Sequence, residues 1–213
     1  MTQVELQKRQ NFRCTHGHTG LSHPQCFAKD NCTKERIGFF DIEASGLQAN
    51  FAIILSYCIK EENGKILKRT IEPEAIKKGI YDKDLVRQLC IDLRKYDRIC
   101  TYYGTKFDIP FCRTRALKHK LDFPTYMELK HTDIYLMAKY KMNLNSRRLG
   151  VVCDFLDIEA KGHPLNPDIW LGCLSGNRKA LAWVLTHNIE DVVSLEKLWK
   201  RINKFVRINQ TTI

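Results

Sequence analysis

The sequence contains no apolar run near the roughly 20 residues that a bilayer span requires. Its opening, Met1-Thr-Gln-Val-Glu-Leu-Gln-Lys-Arg9, lacks the apolar core of a secretory leader. These two absences predict a chain with no membrane partner and an intracellular, cytoplasmic setting. Acidic residues are also in deficit, 24 Asp and Glu against 35 Lys and Arg, and the formal net charge of +11 favours a polyanionic partner, nucleic acid first. A disulfide framework is missing as well. The nine cysteines are odd in number, and Cys58, Cys90, Cys100, Cys112, Cys153 and Cys173 are scattered through apolar contexts, as reduced core thiols are. At 213 residues the length suits one domain with an appendage, and we divide it into a Cys/His-rich segment, 1–35, and a globular domain, 36–213.

What is present centres on Ile37-Gly-Phe-Phe-Asp41-Ile-Glu43-Ala-Ser-Gly46, an apolar run that ends in two acids. It predicts a buried central strand. Residues two apart in a strand share a face, so Asp41 and Glu43 point the same way while Ile42 turns into the core. A solvated polar turn would show the same pair of acids. Two carboxylates held together at a strand end, however, call for a counter-ion, and an oxygen-rich site favours Mg²⁺ or Mn²⁺.

Downstream, Phe51–Lys60 predicts a second strand, and Asn63-Gly64 a hairpin turn into a third, Lys65–Ile71. Asp82 is placed to cap a helix running to about Tyr96, with Leu85, Leu89 and Leu93 on its buried face. A fourth strand, Arg98–Tyr103, follows that helix and should lie parallel to the first, with its end at the same sheet edge. There the chain reads Gly104-Thr-Lys-Phe107-Asp108-Ile-Pro110, and Pro110 suits the first turn of a helix. Asp108 is either that helix's cap or a site acid. Arg113, Arg115, Lys118 and Lys120 make the helix basic, and we take Arg113, Arg115 and Lys118 as candidate nucleic-acid contacts. His131–Tyr140 and Ser146–Asp157 predict two amphipathic helices, the first with Asp133 as cap or, as the alternative, as an acid behind the site, and the second with an apolar stripe of Leu149, Val152, Phe155 and Leu156. The loop Lys161–Trp170 carries two prolines and reads as an irregular cover in which His163 is structural.

A last long helix runs from about Asn177 to Phe205 and contains His187-Asn188-Ile-Glu-Asp191. Its apolar stripe implies packing on the sheet. Residues four apart share a helix face, so His187 and Asp191 can reach one site together. Asp41, Glu43, Asp108 and Asp191 could then converge at one sheet edge and hold two divalent ions, one activating a water and the other stabilising a leaving oxygen during attack on a phosphodiester. His187 would orient that water or accept its proton.

The N-terminal segment concentrates three of seven histidines and three of nine cysteines within residues 14–32. Mixed thiolate and imidazole ligands at these spacings suit a structural Zn²⁺ site, the best set being Cys14, His16 or His18, His23 and Cys26, with Cys32 in reserve. A metal would explain how so short a segment folds.

Phe40-Asp41-Ile-Glu43, Gly104-Thr-Lys-Phe107-Asp108-Ile-Pro110 and His187-Asn-Ile-Glu-Asp191-Val together resemble the three motifs of the DEDD 3′–5′ exonucleases, over residues from about 36 to 205. The branch they look like is the YprB-like group, related to the exonuclease domains of family B polymerases. The resemblance implies an α/β ribonuclease H-like fold, a mixed sheet flanked by helices, and 3′-end hydrolysis of single-stranded DNA or RNA, DNA favoured. It also implies Asp41, Glu43, Asp108 and Asp191 as metal ligands. Two positions depart from the pattern. Gly104 stands where the polymerase-type motif has asparagine, and His187 stands four residues before Asp191, where the tyrosine branch has tyrosine and the histidine branch has its histidine one residue earlier. Two other activities would suit the same residues: a nucleic-acid-binding module without turnover, and a structure-selective endonuclease.

Overall fold

The computed structural model describes the chain apart from residues 31–34, 160–162 and 207–210, and apart from the side chains of 29 and 30. Cys32 therefore lies outside the described residues. Two short helices, α1 (Gln3–Asn11) and α2 (Pro24–Asp30), precede the hairpin-linked strands β1 (Ile37–Ala44), β2 (Ile54–Glu61) and β3 (Ile66–Thr70). Next come α3 (Pro73–Lys77), α4 (Lys83–Leu93), β4 (Arg98–Thr101), α5 (Asp108–Lys118) and β5 (Lys130–Asp133). The chain continues through α6 (Ile134–Lys141), α7 (Leu149–Phe155), α8 (Pro167–Leu174) and the long α9 (Arg178–Ile202).

The sheet order is β3-β2-β1-β4-β5, with the first three strands antiparallel and β4 and β5 parallel to β1. This is the mixed, helix-flanked sheet expected. Strand β1 lies in its middle, and its alternation sorts the core into two layers. Phe40, Ile42 and Ala44 pack with α4 and α5 through Leu89, Leu93, Phe111 and Cys112, whereas Ile37 and Phe39 pack under α9 against Val192, Leu195, Leu198 and Trp199. Asp41 and Glu43 continue the Ile37–Phe39 face by the same two-residue period, so they too lie under α9. With Phe39 beside Trp199 and Asp41 beside Asn188, α9 runs antiparallel to β1. Anchoring its later turns on Phe39 therefore delivers its earlier turns to the acids. Burial of each such side chain contributes about 1.5–3 kcal/mol.

The hairpin at Asn63 forms as predicted, with Asn63 at φ 54° and Gly64 completing the turn. Several boundaries differ from the reading of the sequence. β2 starts at Ile54 because Gln48 O accepts from the N–H groups of both Phe51 and Ala52, leaving Phe51 in an exposed turn. His131–Asp133 is strand, not helix: pairing with β4 buries His131 and Thr132 and outweighs the helical pattern, which holds only from Ile134. Phe155 leaves its predicted stripe for solvent. Pro167 opens α8 as its first residue, where a missing N–H costs nothing, so part of the predicted irregular cover is helical. Helix α9 ends at Ile202, short of Phe205.

Asp82 does not cap α4 with its side chain. Its buried carboxylate instead accepts from Ile54 N at 2.9 Å, from Arg115 at 2.6 and 2.8 Å and from His119 at 2.8 Å, and these donors hold it below the usual carboxylate range against the opposing effect of burial. No helix among the described residues is long and apolar enough to cross a membrane.

Candidate active site and Cys/His cluster

The register of β1 against β2 slips between Glu43 and Ala44, so the two acids stand at the last regular pairs, opposite Cys58 and Ser56. A bulge here ends the ladder and frees the strand end. Over these acids lies the first half of α9. His187 Nε2 is 3.6 Å from Glu43 Oε1 and 3.5 Å from Asp191 Oδ2, and one donor atom from each of Glu43, His187 and Asp191 falls within 4.8 Å of the other two. Two carboxylates and an imidazole at this spacing form a set that a divalent ion fits. Asp41 stands beside that trio, its Oδ2 accepting from Asn188 Nδ2 at 2.6 Å.

Asp108 reaches the same neighbourhood from α5. It is the first residue of that helix, not its side-chain cap, and its Oδ1 accepts from the backbone N–H of Ile42, between the two strand acids, at 3.1 Å. Complete burial pushes its carboxyl up to about 7; the bond from Ile42 opposes this, while the charges of Asp133 and Asp191 add to it. In this state Asp108 belongs to the wall of the site, outside the mutually adjacent trio.

The loop that presents Asp108 is fixed from below. Asp133 caps α6 through Tyr135 N, as expected, and the same carboxylate accepts from Tyr103 N at 2.8 Å and Thr105 N at 3.0 Å. Tyr103 takes a φ of 66°, and a Cβ built at Gly104 would lie 2.2 Å from Thr101 Oγ1. Glycine is therefore required at 104 by the approach of β4, which accounts for the departure from asparagine.

Asn188 and His163 carry roles that the motif reading missed. Asn188 is fully buried four residues after Val184 and four before Val192, both also buried, so it is a polar residue inside an apolar stripe; that was the available signal. His163 contributes its backbone carbonyl, 2.5 Å from His187 Nδ1, which no side-chain pattern announces. Arg113 and Lys118 are exposed on α5, whereas Lys120, expected on the same helix, is exposed just beyond its end at a φ of 56°. Arg115 is a correction: it is buried and ion-paired with Asp82, so its charge is committed inside the fold and unavailable to a phosphate.

In the N-terminal segment, Cys14 Sγ lies 3.8 Å from His16 Nδ1 and 3.7 Å from His23 Nδ1, and Cys26 Sγ lies 3.8 and 3.5 Å from the same two nitrogens. Ligands at about 2.3 Å for sulfur and about 2.05 Å for nitrogen would stand about 3.6 Å apart on a tetrahedron. These four sulfur–nitrogen spacings are close to that value, and donor atoms of Cys14, His16, His18 and His23 all lie within 4.8 Å of one another, so the cluster could hold a metal ion. The His18 ring meets that of His23 edge to face, with ring centroids 4.6 Å apart. The segment meets the sheet at the starting ends of its parallel strands, through Lys130 to Glu5 and Glu35 and through Gln3 N to Met127 O. That is the end opposite Asp41 and Glu43.

A family profile described as RNase_H superfamily matches residues 38–203. No curated protein matches the chain. Among solved structures, the family B DNA polymerase from the hyperthermophilic archaeon Pyrobaculum calidifontis aligns with a TM-score of 0.60 at 15% identity, over 81% of this chain and 25% of that one. The chain thus spans about a quarter of the polymerase's length, and at this identity the likeness is one of fold.

Proposed function

Because the chain belongs to the RNase_H superfamily, we propose that it is a metal-dependent nuclease of the DEDD type, hydrolysing single-stranded DNA, or RNA, from the 3′ end. The observation that carries this reading is the meeting of Glu43, His187 and Asp191 at the end of β1, with Asp41 and Asp108 beside them. Asp41, Glu43, Asp108 and Asp191 are the proposed ligands of two Mg²⁺ or Mn²⁺ ions. When bound, such ions supply activation of a water and charge stabilisation at the leaving oxygen. The protein's own part is to hold the acids rigidly: Asn188 fixes Asp41, and Asp133 fixes the loop that presents Asp108. Arg113 and Lys118 on the outer face of α5 are the proposed backbone contacts. The 3′ polarity rests on the resemblance of the three motifs. Residues 1–35 form a separate stabilising unit, and we assign Zn²⁺ to Cys14, His16, His23 and Cys26, a thiolate and imidazole set in tetrahedral spacing.

The test is a time course on 5′-labelled single-stranded DNA and RNA with Mg²⁺, Mn²⁺ or EDTA, with Asp41→Ala alongside. A descending ladder that needs both metal and Asp41 is the expected result. Discrete internal cuts would indicate an endonuclease, and salt-sensitive binding without cleavage would indicate a binding module.

A further inference from the structure

We infer that His187 is itself a metal ligand, sharing one ion with Glu43 and Asp191, and that the site therefore prefers a first-row transition ion such as Mn²⁺ to Mg²⁺. This rests on the nuclease reading and changes one residue's role within it.

His187 Nδ1 lies 2.5 Å from the carbonyl oxygen of His163. A carbonyl only accepts, so Nδ1 carries the hydrogen, and in the neutral ring Nε2 presents a lone pair. That lone pair faces Glu43 and Asp191 at 3.6 and 3.5 Å. A doubly protonated ring would draw such contacts in to about 2.7–2.9 Å, the range of charge-assisted N–H···O⁻ bonds. One donor atom each from Glu43, His187 and Asp191 lies within 4.8 Å of the other two, so a single cation placed among them would engage all three. Donors bound about 2.1 Å from one ion stand about 3.0 Å apart at octahedral corners and about 3.4 Å at tetrahedral ones. The observed 3.6 and 3.5 Å lie a little beyond both values, so small inward movements of the side chains would close them on one ion.

The surroundings of the ring are those of a ligating imidazole, whose second nitrogen donates to a carbonyl or carboxylate that fixes its tautomer. Here the carbonyl is itself held in place. The His163 ring lies 2.5 Å from Glu190 Oε1 and packs on Trp183 at 4.6 Å, and Trp183 Nε1 donates to Pro164 O at 3.0 Å. Three contacts therefore strap residues 163 and 164 to α9. A lone pair bound to metal cannot also accept a proton, so this role replaces the proton acceptor suggested by the sequence. Imidazole nitrogen suits transition ions, whereas Mg²⁺ favours oxygen ligands and keeps its waters.

The experiment uses residues 1–213 with zinc saturated, and Mn²⁺ alone as probe. Pulsed electron paramagnetic resonance should show ¹⁴N modulation from a directly bound imidazole, and His187→Gln should remove it. In binding titrations the substitution should weaken Mn²⁺ on the order of tenfold and Mg²⁺ by less than about twofold. Circular dichroism and thermal melting establish that the variant folds, and the wild-type spectrum needs no variant at all. Bound Mn²⁺ without nitrogen modulation in the wild type would overturn the inference, and if that protein still cleaves with metal, the nuclease reading stands. Nitrogen modulation lost in His187→Gln without metal-dependent cleavage would support the ligand and count against the nuclease.

Discussion

Asn188 donates to Asp41 across 2.6 Å from a position with no solvent exposure, so the strand acid is oriented by a side chain from the helix that covers it. Groups that orient a ligand are worth about 10–100-fold in metal affinity. Asn188→Ala should therefore raise the metal concentration needed for half-maximal cleavage by that order. It should also cost about 1–3 kcal/mol of stability, because a half-buried carboxylate loses a donor. A metal titration identical to wild type would remove Asn188 from the site's support.

Gly104 offers a test of the loop beneath Asp108. Introducing the asparagine of the polymerase-type motif that the sequence resembles looks conservative, yet its Cβ would meet Thr101 Oγ1 at 2.2 Å and Thr101 Cβ at 2.4 Å. Gly104→Asn should destabilise the fold by about 1–3 kcal/mol, as overpacking does, and shift Asp108 with the loop. Thermal melting with the cleavage assay checks this, and an unchanged melting temperature would show that the loop relaxes freely.

The pH dependence of the metal-free protein follows from Asp108. Its folded pKa is raised from an ordinary 3.8 to about 7, so its protonated form favours the fold. That contribution is complete below the unfolded value, declines as pH rises, and is gone once pH passes the folded value. In EDTA, Asp108→Asn should therefore gain stability over wild type as pH rises from 4 to about 7, and the gap should then level off. A gap independent of pH would mean that the carboxyl is ionised throughout.

The first four strands and the three motifs were legible in the sequence because each rests on local periodicity: alternation around Asp41 and Glu43, a turn at Asn63-Gly64, and a helical stripe around His187 and Asp191. Contacts that depend on distant partners were not. Asp82 reads as a cap, but Arg115 arrives from 33 residues away and converts it into a buried ion-pair centre. His131 reads as helical until β4 pairs beside it. The His163 carbonyl could not be foreseen, since a backbone group leaves no mark in side-chain chemistry.

The Cys/His cluster should respond to metal independently of the acids. Cys26→Ser removes one of the four proposed zinc ligands, so bound zinc should fall from one ion per chain toward none. The melting temperature should drop by about 2–4 °C for each kcal/mol lost. Zinc content equal to wild type would take Cys26 out of the ligand set. Because the cluster sits at the sheet end opposite Asp41, its loss should register first in stability.

Arg115 and Arg113, two positions apart on α5, should behave as opposites. Arg115 is buried against Asp82, so Arg115→Ala leaves a charge unpaired in the interior, a change that costs about 3–5 kcal/mol. Arg113 is exposed, with its guanidinium 5.8 Å from the Phe123 ring. If it meets a phosphate, Arg113→Ala should weaken binding of single strands of any sequence and reduce the slope of log affinity against log salt by about 0.7, one contact's worth on a single strand, with little change in melting temperature. Lys118→Ala should do the same. Binding titrations at several salt concentrations, run beside thermal melts, separate the two cases. A salt slope unchanged in both exposed variants would move the strand's path off α5, whereas a stable Arg115→Ala would show that Asp82 keeps enough donors in Ile54 N and His119 to stand without it.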